Sequence, residues 1–343
     1  MIKAEQLSIN DWTDLIETYR SESKHNLREW PYLEAARLRN GHFGNRVYLR
    51  GLIEISSYCG RDCYYCGIRK SNGRALRYRL NQSEIMTSCT LGYELGFQTF
   101  VLQGGEDGWF TDAVLCELVS GIKEKYPSCA VTLSLGERTK ASYLALKAAG
   151  ADRYLLRHET ADPVHFGQLH PAGQTFESRK RCLYDLREAG FQVGAGFMVG
   201  SPGQTTKQLA DDLQFLIGLN PHMVGIGPFI PHRDTPLRDQ PPGELWDTLL
   251  MLALVRIALP QVLLPATTAL GSIHPDGREQ GLLAGANVVM PNLTPPVRRS
   301  AYNLYDGKLS FGAESAEGLQ ILNKRLAAAG FRADMSRGDH SQA

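Results

Sequence analysis

Three cysteines, Cys59, Cys63 and Cys66, fall within eight residues at a C-x3-C-x2-C spacing. Thiolates this close together are the ligand set of an iron–sulfur cluster. A cube of four irons and four sulfides held by three cysteines keeps one iron without a protein ligand. That corner is open to a substrate or cofactor, as a four-cysteine electron-transfer site is not. Structural zinc would want a fourth Cys or His at finger spacing, and the next cysteine is only Cys89. Seven cysteines, an odd number, argue against a disulfide framework. Reduced thiols in a cytosolic enzyme are the simpler reading.

Other polar residues stand where a strand pattern gives way to a loop. The run Gln103-Gly104-Gly105-Glu106-Asp107 lets backbone come close to a ligand, because glycine has no Cβ. In an alternating strand Thr132 and Ser134 share one face, and so do Arg157 and Glu159. If that face lines a barrel interior, hydroxyls, a guanidinium and a carboxylate converge. Interior charges are costly without a partner, and a zwitterionic ligand would supply one; a structural Arg157–Glu159 ion pair is the plainer alternative. Arg179 lies near the start of the following helix. Thr267 and Thr268 suit a strand on propensity alone. The glycine-rich run Gly194–Gly203, which contains Met198, has no downstream Gly-Lys-Ser/Thr and is no phosphate-binding P-loop. His158, His170 and His274 read as structural or surface residues.

The elements that must position these groups recur as a unit. Apolar runs at 47–56, 99–104, 130–135, 153–158, 192–199, 223–230, 263–270 and 287–292 read as eight strands, with amphipathic helical patterns between them. Leu95-Gly96-Phe97, Ala149-Gly150-Ala151, Ala189-Gly190-Phe191 and Ala284-Gly285-Ala286 each read as a helix-ending glycine followed by a strand. Strands apolar on both faces require a parallel sheet covered by helices. Eight units predict an α/β (β/α)8 barrel of the TIM type, with a doubly wound open sheet as the competitor. A helical N-terminal extension is expected over 1–45, the catalytic barrel over 46–330 and a polar, frayed tail over 331–343. Asn10-Asp11 is placed at a helix start, with Trp12, Leu15, Ile16 and Tyr19 on one face. A barrel's chemistry sits where strands meet the loops that follow them, and the polar set above lies there.

The cysteine spacing, with aromatic Tyr65 between the last two thiols, resembles the signature of the radical S-adenosylmethionine (SAM) superfamily. The longer blocks resemble, within it, the HydE family of [FeFe]-hydrogenase maturases. They are Phe43-Gly-Asn-Arg-Val-Tyr-Leu-Arg-Gly51, Val101-Leu-Gln-Gly-Gly-Glu-Asp107, Val131-Thr-Leu-Ser-Leu-Gly-Glu137, Arg153-Tyr-Leu-Leu-Arg-His-Glu-Thr160, Met198-Val-Gly-Ser-Pro-Gly-Gln-Thr205, Met223-Val-Gly-Ile-Gly-Pro-Phe-Ile-Pro-His232 and Ala284-Gly-Ala-Asn-Val-Val-Met-Pro-Asn292, in that order. The resemblance implies one-electron cleavage of SAM to a 5′-deoxyadenosyl radical by a [4Fe–4S] cluster on Cys59, Cys63 and Cys66. It implies SAM contacts from Tyr65, Gly104, Gly105, Glu106, Glu159, Arg179 and Met198, with adenine lying against the glycine-rich fifth strand. It implies a substrate pocket of Arg157, Thr132, Ser134, Thr267 and Thr268, suited to an amino-acid-like ligand. The implied substrate is a cysteine-bound iron–carbonyl–cyanide precursor of the hydrogenase two-iron subcluster. The implied partners are the maturases HydG and HydF and a reductant such as ferredoxin or flavodoxin. No cysteine follows Cys182, so a second, C-terminal cluster is not expected. The rival families are the methylornithine synthases and biotin synthases; a non-catalytic iron–sulfur carrier is the rival of another class.

Composition agrees with such an enzyme. Hydrophobic residues are 43% and charged residues 21% of 343, ordinary for a globular protein. The formal net charge of +1 and the absence of any evident basic block give a nucleic-acid partner little support. Met1–Glu5 lack the apolar core of a signal peptide. The greasiest run, near Leu249–Leu259, is broken by Arg256 and is too short to span a bilayer. A cytoplasmic protein is expected.

Overall fold

A strand buried on both faces must be paired on both edges and covered by helices, and the run from Val47 to Ser56 is. It breaks at Arg50 into β1 (Arg46–Leu49) and β2 (Gly51–Ser56). In the structure, a computed structural model describing residues 6–341, β2 opens a parallel sheet. It continues through β3 (Thr99–Gly104), β4 (Ala130–Ser134), β5 (Arg153–Leu155), β6 (Gln192–Ala195) and β8 (Met223–Val224). A second short pair, β7 (Met198–Val199) with β9 (Gly227–Pro228), prolongs the fifth and sixth strands. Parallel bridges close the ring: Leu263 to Met223, Pro265 to Val288 and Asn292 to Leu52, with β10 (Val288–Val289) paired to β1. The chain runs around the ring in sequence order, so the barrel stands and the open sheet, whose edge strands would stay apart, does not.

Several strands are shorter than the apolar runs suggested. The fourth ends at Leu155, because the chain turns into the mouth and Glu159 takes a left-handed φ of 68°. The fifth breaks at Gly196, where a Cβ would come 2.0 Å from the Gly225 carbonyl. The seventh is reduced to bridges at Leu263 and Pro265, and Thr268 opens a helix instead of extending a strand. Thr267 and Thr268 therefore sit at a helix start, where their β-propensity counts for nothing.

Helices α1 (Ile9–Arg20) and α2 (Trp30–Phe43) come first. The α1 start lies one residue earlier than the expected Asn10, because Ser8 caps it reciprocally with Asp11. Trp12 and Ile16 are fully buried, each worth about 2 kcal/mol over exposure. Met1–Glu5 lie outside the described residues. Around the barrel follow α3 (Gln82–Glu94), α4 (Asp112–Lys125), α5 (Lys140–Ala148), α6 (Pro163–Leu169), α7 (Phe176–Glu188), α8 (Thr206–Leu219), α9 (Leu245–Ala258), α10 (Thr268–Ile273), α11 (Gly277–Leu283), α12 (Pro296–Arg299) and α13 (Leu319–Ala328). Gly96, Gly150, Gly190 and Gly285 all have positive φ, the left-handed turn that ends a helix before the next strand. Among the described residues no helix is long and apolar enough to cross a membrane.

The segment expected to fray is tied down. β11 (Arg332–Asp334) pairs in parallel with β1, and the chain then crosses the floor of the barrel. Arg50 and Arg153, both essentially without exposure, point there and need acceptors. Arg50 Nη2 donates to the Gly338 carbonyl at 3.1 Å, and Arg153 Nη2 to the Arg337 carbonyl at 2.7 Å and to Asp339. The tail is polar because it satisfies buried arginines. Gln342 and Ala343 lie outside the described residues.

Burial works against the Asp339 charge, but Arg337 and Arg153 outweigh it and hold the carboxyl below its ordinary range. A carboxyl lowered on folding stabilises at neutral pH and loses that contribution as pH falls through its folded value. Asp339→Ala is expected to cost about 2 kcal/mol, read as a melting-temperature drop at pH 7 that shrinks in acid.

Candidate active site at the barrel mouth

The loop after β2 carries the three cysteines, and all three line one cavity of about 370 Å³ at the C-terminal end of the strands, a size typical of small-molecule sites. The loop after β3 is pressed against them. A Cβ on Gly105 would lie 2.2 Å from the Tyr58 carbonyl and 2.7 Å from Cys59 Cβ. Only glycine lets these two loops meet, and the approach lets the Glu106 and Arg61 backbone N–H groups donate to Cys59 Sγ at 3.3 and 3.4 Å. Gly105→Ala is expected to push the loops apart and lower the melting temperature by several degrees, an overpacking cost of about 1–3 kcal/mol, with iron retention falling alongside.

Burial pushes the Cys63 thiol up to about 11, with Arg179 pulling the other way. Burial, with Cys63 and Cys59 nearby, raises Cys66 as well. Three half-buried thiols this close ionise together only with positive charge among them. Among the described residues no trio of Cys, His, Asp or Glu is gathered tightly enough for a single metal ion. Three thiols carried by one loop on one cavity are a donor set that fits an iron–sulfur cluster.

The same cavity also carries charge. Arg157 Nη2 lies 3.0 Å from Glu159 Oε2 but donates to the Phe197 carbonyl at 2.8 Å. Glu159 Oε2 and Arg157 Nε are buried and have no hydrogen-bond partner, as are Thr132 Oγ1 and Thr267 Oγ1. Unsatisfied buried polar atoms are costly, and such a group on a cavity wall fits a ligand bearing both charges. Ser134, Arg157, Glu159, Arg179, Met198, Thr267 and Thr268 all line the cavity, as do Tyr65, Gly104, Gly105 and Glu106. Thr132, two residues below Ser134 on β4, is buried and is not among the lining residues.

Several of these groups are already engaged. Arg179 Nε donates to Glu137 at 2.7 Å, and Arg179 Nη1 to the Arg157 carbonyl. The Glu106 carboxylate accepts from Arg61 and from the Glu137 N–H. Burial alone would raise Glu137, but Arg179 and Arg61 hold it below the ordinary carboxylate range. Thr268 Oγ1 donates to Glu314 at 2.9 Å, and Glu314 pairs with Arg278. Tyr65 meets His170 edge-on, its hydroxyl 3.3 Å from Nε2. His158, buried between Arg157 and Glu159 in the chain, lies 3.2 Å from Asp212 and accepts from the Gly196 N–H. Both histidines are buried and hydrogen-bonded within the fold, and His170 braces the lining residue Tyr65.

Sequence reasoning missed Glu54, Tyr302, Tyr305 and Lys308. The last three come from one segment that crosses the mouth. Lys308 Nζ lies 2.7 Å from Glu54 Oε1, and Asn292 donates to the other oxygen at 3.0 Å. A signal for Glu54 existed: a carboxylate in the middle of the apolar run Leu52-Ile-Glu-Ile must have a partner.

Residues 53–216 match the model of the radical SAM superfamily. The chain is 49% identical over 275 residues to the [FeFe] hydrogenase maturase subunit HydE of Thermotoga maritima, covering 80% of this chain and 78% of that one. It is 29% identical over 328 residues to the 3-methylornithine synthase of Methanosarcina acetivorans, covering 95% and 90%. Among solved structures, methylornithine synthase superposes with a TM-score of 0.83 at 26% identity over 96% of each chain. HydG from Carboxydothermus hydrogenoformans superposes at 0.81 with 20% identity, over 97% of this chain and 77% of that one, a likeness of fold alone. With three thiols and an unsatisfied charged wall on one barrel cavity, and with half of its aligned residues shared with a maturase over most of both lengths, this chain belongs to the radical SAM superfamily and, within it, to the family of the [FeFe] hydrogenase maturase subunit HydE.

Proposed function

We propose that this radical SAM enzyme binds one [4Fe–4S] cluster through Cys59, Cys63 and Cys66 and SAM beside it, and acts on a cysteine-bound iron–carbonyl–cyanide precursor of the hydrogenase two-iron subcluster. The observation that carries this is the shared cavity: the three thiols and the Arg157–Glu159 ion pair, with hydrogen-bonding capacity left over, line the same space. When bound, the cluster supplies one electron to SAM, and SAM supplies an adenosyl radical. The protein's part is positioning. Glu159 takes the SAM amino group and Arg179 its carboxylate, Tyr65 and Met198 pack beside it, and Gly104, Gly105 and Glu106 hold the backbone close. Arg157 takes the substrate carboxylate, with Ser134, Thr267 and Thr268 offering hydroxyls to its other polar atoms; Thr132, expected in this lining, lies behind it. The segment with Tyr302, Tyr305 and Lys308 keeps water from the mouth. The working partners are HydG as source, HydF as acceptor and a ferredoxin or flavodoxin as reductant, in the cytoplasm.

The test is anaerobic reconstitution with iron and sulfide, then dithionite and SAM, with 5′-deoxyadenosine measured by chromatography. Omitting this protein from a defined maturation mixture should leave apo-hydrogenase inactive. Iron uptake without 5′-deoxyadenosine would make it a carrier. Methylornithine formed from lysine would move it to the mutase family, the second reading, favoured by the 0.83 superposition.

A further inference from the structure

The chain has a formal charge of +1, yet residues 61–79 alone hold six Arg or Lys against one carboxylate, Asp62. Apolar and small residues space them, so they do not read as a basic block. Four of the six meet carboxylates: Arg61 with Glu106, Arg69 with Asp62, Arg74 with Asp234 and Arg79 with Asp107. Arg77 donates to the carbonyls of Ser57, Ile68, Arg69 and Asn72. Exposed Lys70 makes no ion pair among the described residues. The Arg74 side chain is 84% exposed, so its pair adds little and is easily exchanged. A cationic surplus therefore remains.

This surplus is bonded to the cysteine loop itself. The Lys70 N–H donates to the Arg61 carbonyl at 2.8 Å, the Arg69 N–H to the Cys66 carbonyl at 3.1 Å, and the Arg61 N–H to Cys59 Sγ. At its centre lie apolar groups open to solvent. Leu76 is 68% exposed, and Tyr58, next to Cys59, is 36% exposed with the Arg79 guanidinium 3.8 Å over its ring. Ser57 Oγ donates to the Leu76 carbonyl at 2.9 Å, which ties the Leu76 backbone to the residue before Tyr58. An apolar centre with a charged rim is the anatomy of a transient protein interface.

We infer that this face, Tyr58 and Leu76 rimmed by Lys70, Arg74 and Arg79, docks a small acidic one-electron carrier, a flavin or iron–sulfur protein. The inference rests on the cluster assigned under the proposed function. The reaction needs an electron at Cys59–Cys66, and among the described residues no second set of three clustered thiols stands ready to relay one. Charge complementarity and contact with that loop select an acidic redox protein as the occupant. A two-fold contact with a second copy would set like charges against each other. In the step the carrier is oxidised by one electron and the cluster reduced by one, with no bond or proton exchanged.

The test uses the full-length, reconstituted protein with an acidic flavodoxin as probe. Binding is followed by calorimetry, and 5′-deoxyadenosine formation is driven either by reduced flavodoxin or by dithionite. Lys70→Glu/Arg74→Glu is expected to weaken flavodoxin affinity and the flavodoxin-driven rate by about tenfold or more at low salt, with the dithionite-driven rate unchanged. Wild-type affinity should fall from about 50 mM to about 500 mM salt, and Lys324→Glu on α13 should act as wild type. Unchanged flavodoxin affinity and rate in the double variant would overturn the docking face, as would patch-dependent binding of an oligonucleotide with none of flavodoxin. Absence of 5′-deoxyadenosine with dithionite in the wild type would overturn the proposed function instead, and calorimetry would still decide the docking face.

Discussion

Cys63→Ser is expected to abolish iron retention and SAM cleavage together while the chain stays folded. Anaerobically reconstituted wild type should hold about four irons per chain, and the variant well under one. A hydroxyl is a poor ligand for iron because it does not ionise near neutral pH, and burial at this position already opposes ionisation of the thiol itself. Two thiols remain, too few to hold a cube against loss. Serine replaces one atom in a partly buried side chain, so the apoprotein should melt within about 1 kcal/mol of wild type. Iron analysis, visible absorbance, chromatography for 5′-deoxyadenosine and a thermal melt check the four statements. A variant that keeps its iron and still cleaves SAM would remove Cys63 from the ligand set.

Arg157→Ala is expected to separate the cluster from the substrate. Arg157 is not one of the three thiol ligands, so iron content should match wild type. What disappears is a guanidinium 3.0 Å from Glu159 with an unpartnered buried Nε. A charge-assisted hydrogen bond to a ligand is worth about 1.5–3 kcal/mol, so turnover should fall by roughly tenfold to a hundredfold. Arg157→Lys should recover little, because a point charge does not replace a planar fork. Basal SAM cleavage without substrate should persist. Full turnover in the alanine variant would take Arg157 out of the substrate pocket. Loss of basal cleavage would instead place it on the SAM side, beside Glu159.

Local chemistry was legible and distant pairing was not. The cysteine loop, the glycines of the Gln103–Asp107 turn and the glycines that end α3, α5, α7 and α11 are read within a few residues, because spacing and φ preference are properties of a short stretch of chain. The eight β/α repeats followed from apolar periodicity in the same way. Strand ends were overextended at Arg157, Gly196 and Thr268, since a polar residue at a barrel mouth has the same composition whether it continues a strand or leaves it. Arg179, read from the sequence as a SAM contact, also pairs with a carboxylate of the protein's own, Glu137.

Sequence alone determined that three thiols share one loop and that polar groups stand at the strand ends of a parallel barrel. Tertiary structure decided which charges meet: Glu54 with Lys308, 254 residues apart, Thr268 with Glu314, and the buried arginines of the floor with a tail that polarity alone had marked as loose. Those pairings depend on closure of the ring. Burial makes each charge costly, and only the closed barrel settles which distant group is near enough to offset it.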